Sequence, residues 1–237
     1  MYTSLVRVQN TFGFFTTVIF AVAALIAASD FLHERAPSGT LKTTNVQVVR
    51  GRPHYYSTKK EEYAIIKFNL DADLSSLFTW NTKQLFVYVT AEWPDSSSSP
   101  SSTNATNKAV IWDSIITSPS ADYLSNIGPA AKRKLIKSAK GKSIDPSRGK
   151  LSLKNQRPKY QITHPSSRVA STSDDVVLKL HYNVQPWVGL LTWNQDRDYG
   201  VWKAMKGGLS KKFAFPAVKS KTAEKEKPKE QKEKPIP

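Results

Sequence analysis

The chain has 237 residues, no cysteine and a net charge of +16, a length that suits one domain with appendages or two small domains. With 39% hydrophobic and 23% charged residues it is neither a multi-span transporter nor a wholly disordered chain. Lack of cysteine excludes a disulfide framework, a thiolate metal site and a cysteine nucleophile.

Residues 8–29 are 22 consecutive positions without a charge. A helix of that length reaches about 33 Å at about 1.5 Å per residue, against a hydrocarbon core of about 30 Å. In lipid the backbone polar groups must be satisfied within the segment, so the run is expected to be helical. Phe12, Phe14, Phe15, Val18, Ile19, Phe20, Val22, Leu25 and Ile26 would form the body of this anchor. A cleaved leader is the competing reading, since Ala27-Ala28-Ser29 offers the small residues a signal peptidase needs. Against it, the run is longer than the apolar region of a leader, and only Arg7 and the amino terminus flank it with positive charge. The opposite flank, Asp30, His33, Glu34 and Arg35, is near charge balance. The positive-inside tendency then keeps residues 1–29 as a short cytosolic terminus plus signal-anchor and sends the remainder across the membrane.

Beyond the anchor the pattern is that of strands. Val46 and Val48 alternate within residues 43–49. Residues 63–70 place Ile66, Phe68 and Leu70 on one face, and residues 84–93 place Phe86 and Tyr88 opposite Val87 and Val89. Residues 109–116, 160–163 and 176–184 are similar, and helical periodicity is scarce apart from residues 130–139. Short strands separated by turn residues predict a mainly β chain: one transmembrane helix, then an antiparallel β-sandwich over residues 30–210. The polar loop 94–107 carries the sequon Asn104-Ala105-Thr106, an acceptor for N-glycosylation in an exposed loop of a translocated domain.

Most of the positive charge falls in two segments. Residues 129–159 hold 11 Lys and Arg against Asp145, and residues 211–237 hold 9 Lys and 4 Glu. The rest of the chain is close to neutral. Both segments are poor in aromatic residues, whereas a nucleic-acid surface interleaves basic and aromatic side chains on a folded face. They are therefore expected to be a solvated insertion, residues 122–159, and a disordered Lys/Glu/Pro-rich tail from residue 211. No nucleic acid is expected as a partner.

Sites of chemistry are scarce. His33, His54, His164 and His181 have no i, i+4 pairing, and no metal-ligand, nucleophile-elbow or phosphate-loop pattern occurs. Asp71 and Asp73 precede Leu74-Ser75-Ser76-Leu77, which suits turn and capping work better than acid–base catalysis. His181 lies within an apolar strand and is expected to pack. The chain is expected not to be an enzyme by itself and to need no cofactor or metal.

One stretch is distinctive. Residues 69–88 read NLDADLSSLFTWNTKQLFVY, followed by Glu92-Trp93, then Trp112-Asp113, then Asn183-Val184-Gln185-Pro186-Trp187-Val188-Gly189. With the short amino-terminal anchor, this resembles the subunit 3 family of the eukaryotic signal peptidase complex, of fungal type. The resemblance runs to about residue 216 and is weakest over residues 122–157. It rests on Asp73, Leu77, Phe78, Trp80, Asn81, Lys83, Gln84, Phe86, Tyr88, Trp112, Asp113, Asn183, Pro186 and Gly189, as core or interface residues. The resemblance implies a single-pass endoplasmic-reticulum protein, cytosolic at its amino terminus, with a lumenal sandwich. It also implies a non-catalytic role supporting the serine-protease subunit that removes signal peptides, with subunits 1 and 2 of the complex as further partners. Relatives often carry a sequon just before the strand at 176–184, where this chain has Asp174-Asp175. A secreted or lumenal β-sandwich binding module with its leader removed stays open as the alternative.

Overall fold

The computed structural model describes residues 3–52, 55–94, 106–118, 148–164, 168–169 and 175–218. Asn104, most of loop 94–107, the helical pattern at 130–139 and the tail from residue 219 lie outside the described residues. A single long helix, α1 (Ser4–Phe31), opens the chain, and its most apolar window is not buried at all against the rest of the molecule. It is long and apolar enough to cross a membrane.

The body is two sheets packed face to face. The first holds β1 (Ser38–Gly51), β2 (Glu61–Asp73), β5 (Lys150–Gln156), β6 (Ile162–Thr163) and β9 (Lys206–Gly207). Among the described residues its order is β5-β2-β1-β9, with β6 on the same edge of β2 as β5. The second holds β3 (Thr82–Pro94), β4 (Thr106–Thr117), β7 (Val177–Pro186) and β8 (Thr192–Trp193), in the order β4-β3-β7-β8. Pairing is antiparallel except for the short parallel contact of β1 with β9. Alternation decides which side chains meet between the sheets. Ile66, Phe68 and Leu70 face Leu85, Val87, Val89, Leu178, Leu180 and Val184 in one continuous core. Trp112 reaches across to Phe68 edge-on, with ring centroids 6.2 Å apart. A bulge between Val89 and Thr90 allows Ile111 and Trp112, adjacent in sequence, both to be buried.

Two expectations are corrected. The basic insertion is not solvated loop throughout, because Lys150–Gln156 forms β5 against β2. Leu151 and Leu153 pack on the core while Lys150, Ser152 and Lys154 are exposed. The high charge of the segment had hidden a period-two pattern. The tail likewise begins later than residue 211. Phe213 bridges to Val176, and Phe215 is buried against Trp93 with centroids 5.9 Å apart. Two aromatic side chains outweigh the solvation of the neighbouring lysines.

Phe68→Ala should lower stability by about 3–5 kcal/mol, because it empties a fully enclosed site that cannot collapse around the loss. A urea unfolding midpoint close to wild type would contradict this packing.

Candidate functional site

The motif residues gather at the end of the sandwich where α1 arrives. Asp73 closes β2 and its Oδ1 accepts hydrogen bonds from the hydroxyl and the backbone N–H of Ser75, at 2.6 and 3.0 Å. Those bonds, the hydroxyl first, hold its carboxyl below the usual carboxylate range. Asp73 thus makes the turn, while the 3-10 helix that follows has Leu74 at its N-cap and no side-chain cap. The short 3-10 helix Ser75–Leu77 then buries Leu77 and Phe78 and turns the chain into β3. Trp80 is left exposed at the turn. Asn81, beside it, is buried and works entirely through hydrogen bonds. Its Nδ2 donates to the Val188 carbonyl at 2.7 Å, its Oδ1 accepts from the Val188 N–H at 3.1 Å, and its own carbonyl accepts from the Trp187 N–H at 2.8 Å. Three bonds from one residue set the course of the loop that follows Pro186. Gly189 in that loop has φ +127 and lies so close to α1 that a Cβ there would meet the Ala27 methyl at 3.4 Å, which explains the glycine. The Lys83 ammonium lies 5.1 Å from the centre of the Trp187 ring.

The junction itself rests on residues that sequence reasoning had counted only as flanking charges. Asp30, in the last turn of α1, and Arg35, just before β1, are both buried and joined at 2.6 Å. The second Asp30 oxygen accepts from the Thr79 hydroxyl at 3.2 Å, and Arg35 Nη1 donates to Thr192 Oγ1 at 2.8 Å. The guanidinium also lies 4.3 Å from the centre of the Trp202 ring, which stacks on Phe31 at 5.0 Å. The backbone of Arg35 pairs with Val201 and Lys203. Four separate segments therefore converge on one ion pair at the exit of the helix. The signal available in sequence was two opposite charges five residues apart directly after an apolar run.

The outer face of the β4-β3-β7-β8 sheet carries the other motif residues. Cross-strand register puts Ile115, Phe86 and Asn183 in one row and Asp113, Tyr88 and His181 in the next. Phe86 stacks on Tyr88 and Tyr88 on His181, with centroids 5.3 and 5.0 Å apart. Asp113 pairs with Lys159 at 3.1 Å, Gln84 bonds to Gln185, and Asn183 donates to the Thr192 carbonyl at 3.3 Å. His181 bonds to Asn194 and Thr90, at 3.3 and 3.0 Å, with Glu92 at 3.7 Å. Val110, Ile115 and Trp193 on this face are exposed. The outer face of the β2 sheet has Lys42, Asn45, Lys67, Asn69, Asp71 and Ser152 in register over one part, and half-buried Val49, Tyr63 and Ile65 beside Gln47 over the other. Of the motif residues, Leu77, Phe78 and Trp112 belong to the core, and Asp73, Asn81 and Asn183 shape the junction. Phe86 and Tyr88, both half-buried, form the aromatic row of the outer face. Among the described residues no group of His, Asp and Glu is placed to hold a metal ion.

The profile of the Signal peptidase subunit family matches residues 1–141 and 142–203 of the chain. Signal peptidase complex subunit 3 of Debaryomyces hansenii is 31% identical over 214 residues, covering 86% of this chain and 94% of that protein. The protein of the same name from Saccharomyces cerevisiae is 36% identical over 137 residues, 58% of this chain and 56% of that one. That from Caenorhabditis elegans is 34% identical over 134 residues, 56% and 70% of the two chains.

Two outcomes test the site. Arg35→Ala leaves Asp30 buried without its cation, and should cost about 3–5 kcal/mol, where replacing an exposed arginine would cost under about 1. Denaturant titration of the purified chain reads the difference, and a loss no larger than that of Arg50→Ala would refute the importance of the pair. The second outcome concerns pH. Burial first, then Lys179 and Lys108, push the His181 imidazole below its ordinary 6.5, outweighing Asn194 and Glu92. The folded state therefore binds fewer protons at this site than the unfolded chain does. Its contribution is complete above pH 6.5 and is lost as pH falls through the lowered folded value. The melting temperature of the wild type should fall more steeply than that of His181→Gln on acidification below that point. Parallel curves would show that His181 is not the group responsible.

Proposed function

The chain belongs to the Signal peptidase subunit family, and on that premise we propose that it is the non-catalytic third subunit of a signal peptidase complex in the endoplasmic reticulum membrane. It holds a separate serine-protease subunit at a fixed place beside the bilayer while signal peptides are cut from nascent secretory proteins. Its amino terminus faces the cytosol and its sandwich the lumen, an orientation supported by the charges flanking the apolar run. Subunits 1 and 2 of the complex are the further partners, and Asn104 is the candidate glycan acceptor.

The observation that carries the proposal is the difference between the two outer faces. A sandwich in water normally presents polar residues on both. Here the β2 sheet exposes mostly polar side chains, with Val49, Tyr63 and Ile65 half-buried among them, while the other presents exposed Val110, Ile115 and Trp193 and half-buried Phe86 and Tyr88 beside Gln84, Glu92, Asp113 and His181. A face with three large apolar side chains exposed around an aromatic row is a docking surface for another folded domain. Membrane proteolysis gives such docking a purpose. A nucleophile and base acting at the lipid surface lose rate steeply when displaced, so a second tethered domain that fixes their height and angle has value without any chemistry of its own. The uncleaved reading of α1 has support too. Ala27 lies against Gly189, so cutting after Ser29 would remove part of what the sandwich rests on.

Ile115→Asp combined with Val110→Asp should leave the unfolding midpoint nearly unchanged, because both side chains are exposed. The pair should abolish recovery of the serine-protease subunit with the tagged full-length chain in mild detergent. Undiminished recovery would place the docking surface elsewhere.

A further inference from the structure

At the end of the sandwich nearest α1 the loop after Pro186 is apolar, and the exposed charges Asp196, Arg197 and Asp198 follow it before Tyr199. After Asn81 has set its course, the loop beyond Pro186 runs through Trp187, Val188, Gly189, Leu190, Leu191, Thr192 and Trp193, and no residue from 184 to 195 carries a charge. Leu190 is 72% and Leu191 50% exposed, and Trp193, Tyr199 and Val201 are exposed beside them. A shallow hollow lined by Phe31, Gln195, Tyr199, Val201 and Trp202 continues the same surface onto the end of the helix.

Depth identifies the occupant. Gly189 rests on Ala27, and Ala27 lies inside the uncharged run that ends at residue 29. About 20 residues of such a run lie within the hydrocarbon. Leu190 follows Gly189 directly, about 3.8 Å further along the backbone, so its side chain stands at nearly the same level as the last turns of the helix. At that level the surroundings are acyl chains and head groups. Leucine there gains by burial, and Trp and Tyr have their preferred position at the boundary. Lys83, whose ammonium lies over Trp187, is suited to the head-group layer above it.

We propose that the loop carrying Leu190 and Leu191 enters the leaflet on the sandwich's side beside α1, with Tyr199 and Val201 at the head-group boundary next to Asp196, Arg197 and Asp198, as a second, monotopic contact with the membrane. This inference rests on the reading of α1 as a bilayer-spanning helix. Two contacts, a spanning helix and a dipping rim, fix the tilt of the sandwich about the helix as well as its height, which one helix alone leaves free. The partner surface is lipid, and it adjoins the docking face around Ile115 at Trp193.

The chain lacks cysteine, so single cysteines can be placed without a further background change. An environment-sensitive fluorophore is attached in turn at positions 190, 191, 20 and 45 of the full-length chain in phosphatidylcholine vesicles. Quenching by nitroxide on the lipid acyl chains is then compared with quenching by aqueous iodide. The proposal expects lipid quenching at 190 and 191 to be several-fold stronger than at the exposed strand position 45, and to approach that at helix position 20. Iodide-dominated quenching at 190 and 191 with lipid quenching at 20 would overturn the membrane rim and leave the anchor standing. Iodide quenching at 20 as well would overturn both. A diazirine amino acid at position 191 in native microsomes adds a second readout: lipid adducts support the contact, and a protein cross-link in their place would assign the rim to a protein partner and refute it.

Discussion

The architecture depends on a buried ion pair at the point where an apolar helix becomes a water-facing domain. Asp30 and Arg35 are almost fully enclosed and 2.6 Å apart. Enclosure of that kind carries a large desolvation cost, and such a pair is often no better for stability than well-packed hydrophobic residues. Its distinctive property is directional. The carboxylate accepts from Thr79 as well as Arg35, and the guanidinium reaches Thr192 and lies over Trp202. These bonds are satisfied together in one arrangement of α1 against β1, the β3 turn and β8. Apolar contacts between a helix and a sheet edge could slide; this set cannot slide without leaving a charge unpaired inside the protein.

That constraint gives meaning to the asymmetry of the sandwich. With the helix axis locked to the strands, the aromatic row on the β4-β3-β7-β8 sheet faces one direction relative to the bilayer and the mostly polar β2 sheet the other. The loop set by Asn81 is brought alongside the last turns of the helix. A support subunit proposed to hold another protein's catalytic groups near lipid needs that kind of geometry: a fixed base, one adhesive side and one wettable side. Chemistry is absent from the proposed role. His181, the titratable group with the most enclosed position on the adhesive face, is occupied with Asn194, Thr90 and the Tyr88 ring.

Much of this was legible in the amino-acid order. The uncharged run marked α1, and period-two alternation marked β1, β2, β3, β4 and β7 and put Ile66, Phe68 and Leu70 of β2 on one face, because burial on one face imposes that pattern directly. What escaped were elements whose partners lie far away in the chain. β5 is lysine-rich, and only its two leucines touch the core. β8 and β9 are two residues each, too short for any period. The parallel contact of β9 with β1 depends on the whole fold being in place. At the candidate site, the signature around residues 69–88 mixed core residues such as Phe78 with positioning residues such as Asn81, since sequence spacing does not distinguish a side chain that packs from one that holds a distant loop. Arg35 escaped for a related reason. Beside an apolar run a charge normally means the water boundary, and here it is the inside of a joint.

The central claim is that this joint is rigid. Spin labels on cysteines introduced at Phe20 in the helix and Asn45 in β1, with the full-length chain in lipid nanodiscs, report the distance between the two parts by pulsed dipolar spectroscopy. A single narrow distance population that broadens when Arg35 is changed to alanine is the predicted result. An equally broad distribution in both proteins would show that the helix swings freely on the sandwich, and would contradict a joint locked by Asp30 and Arg35.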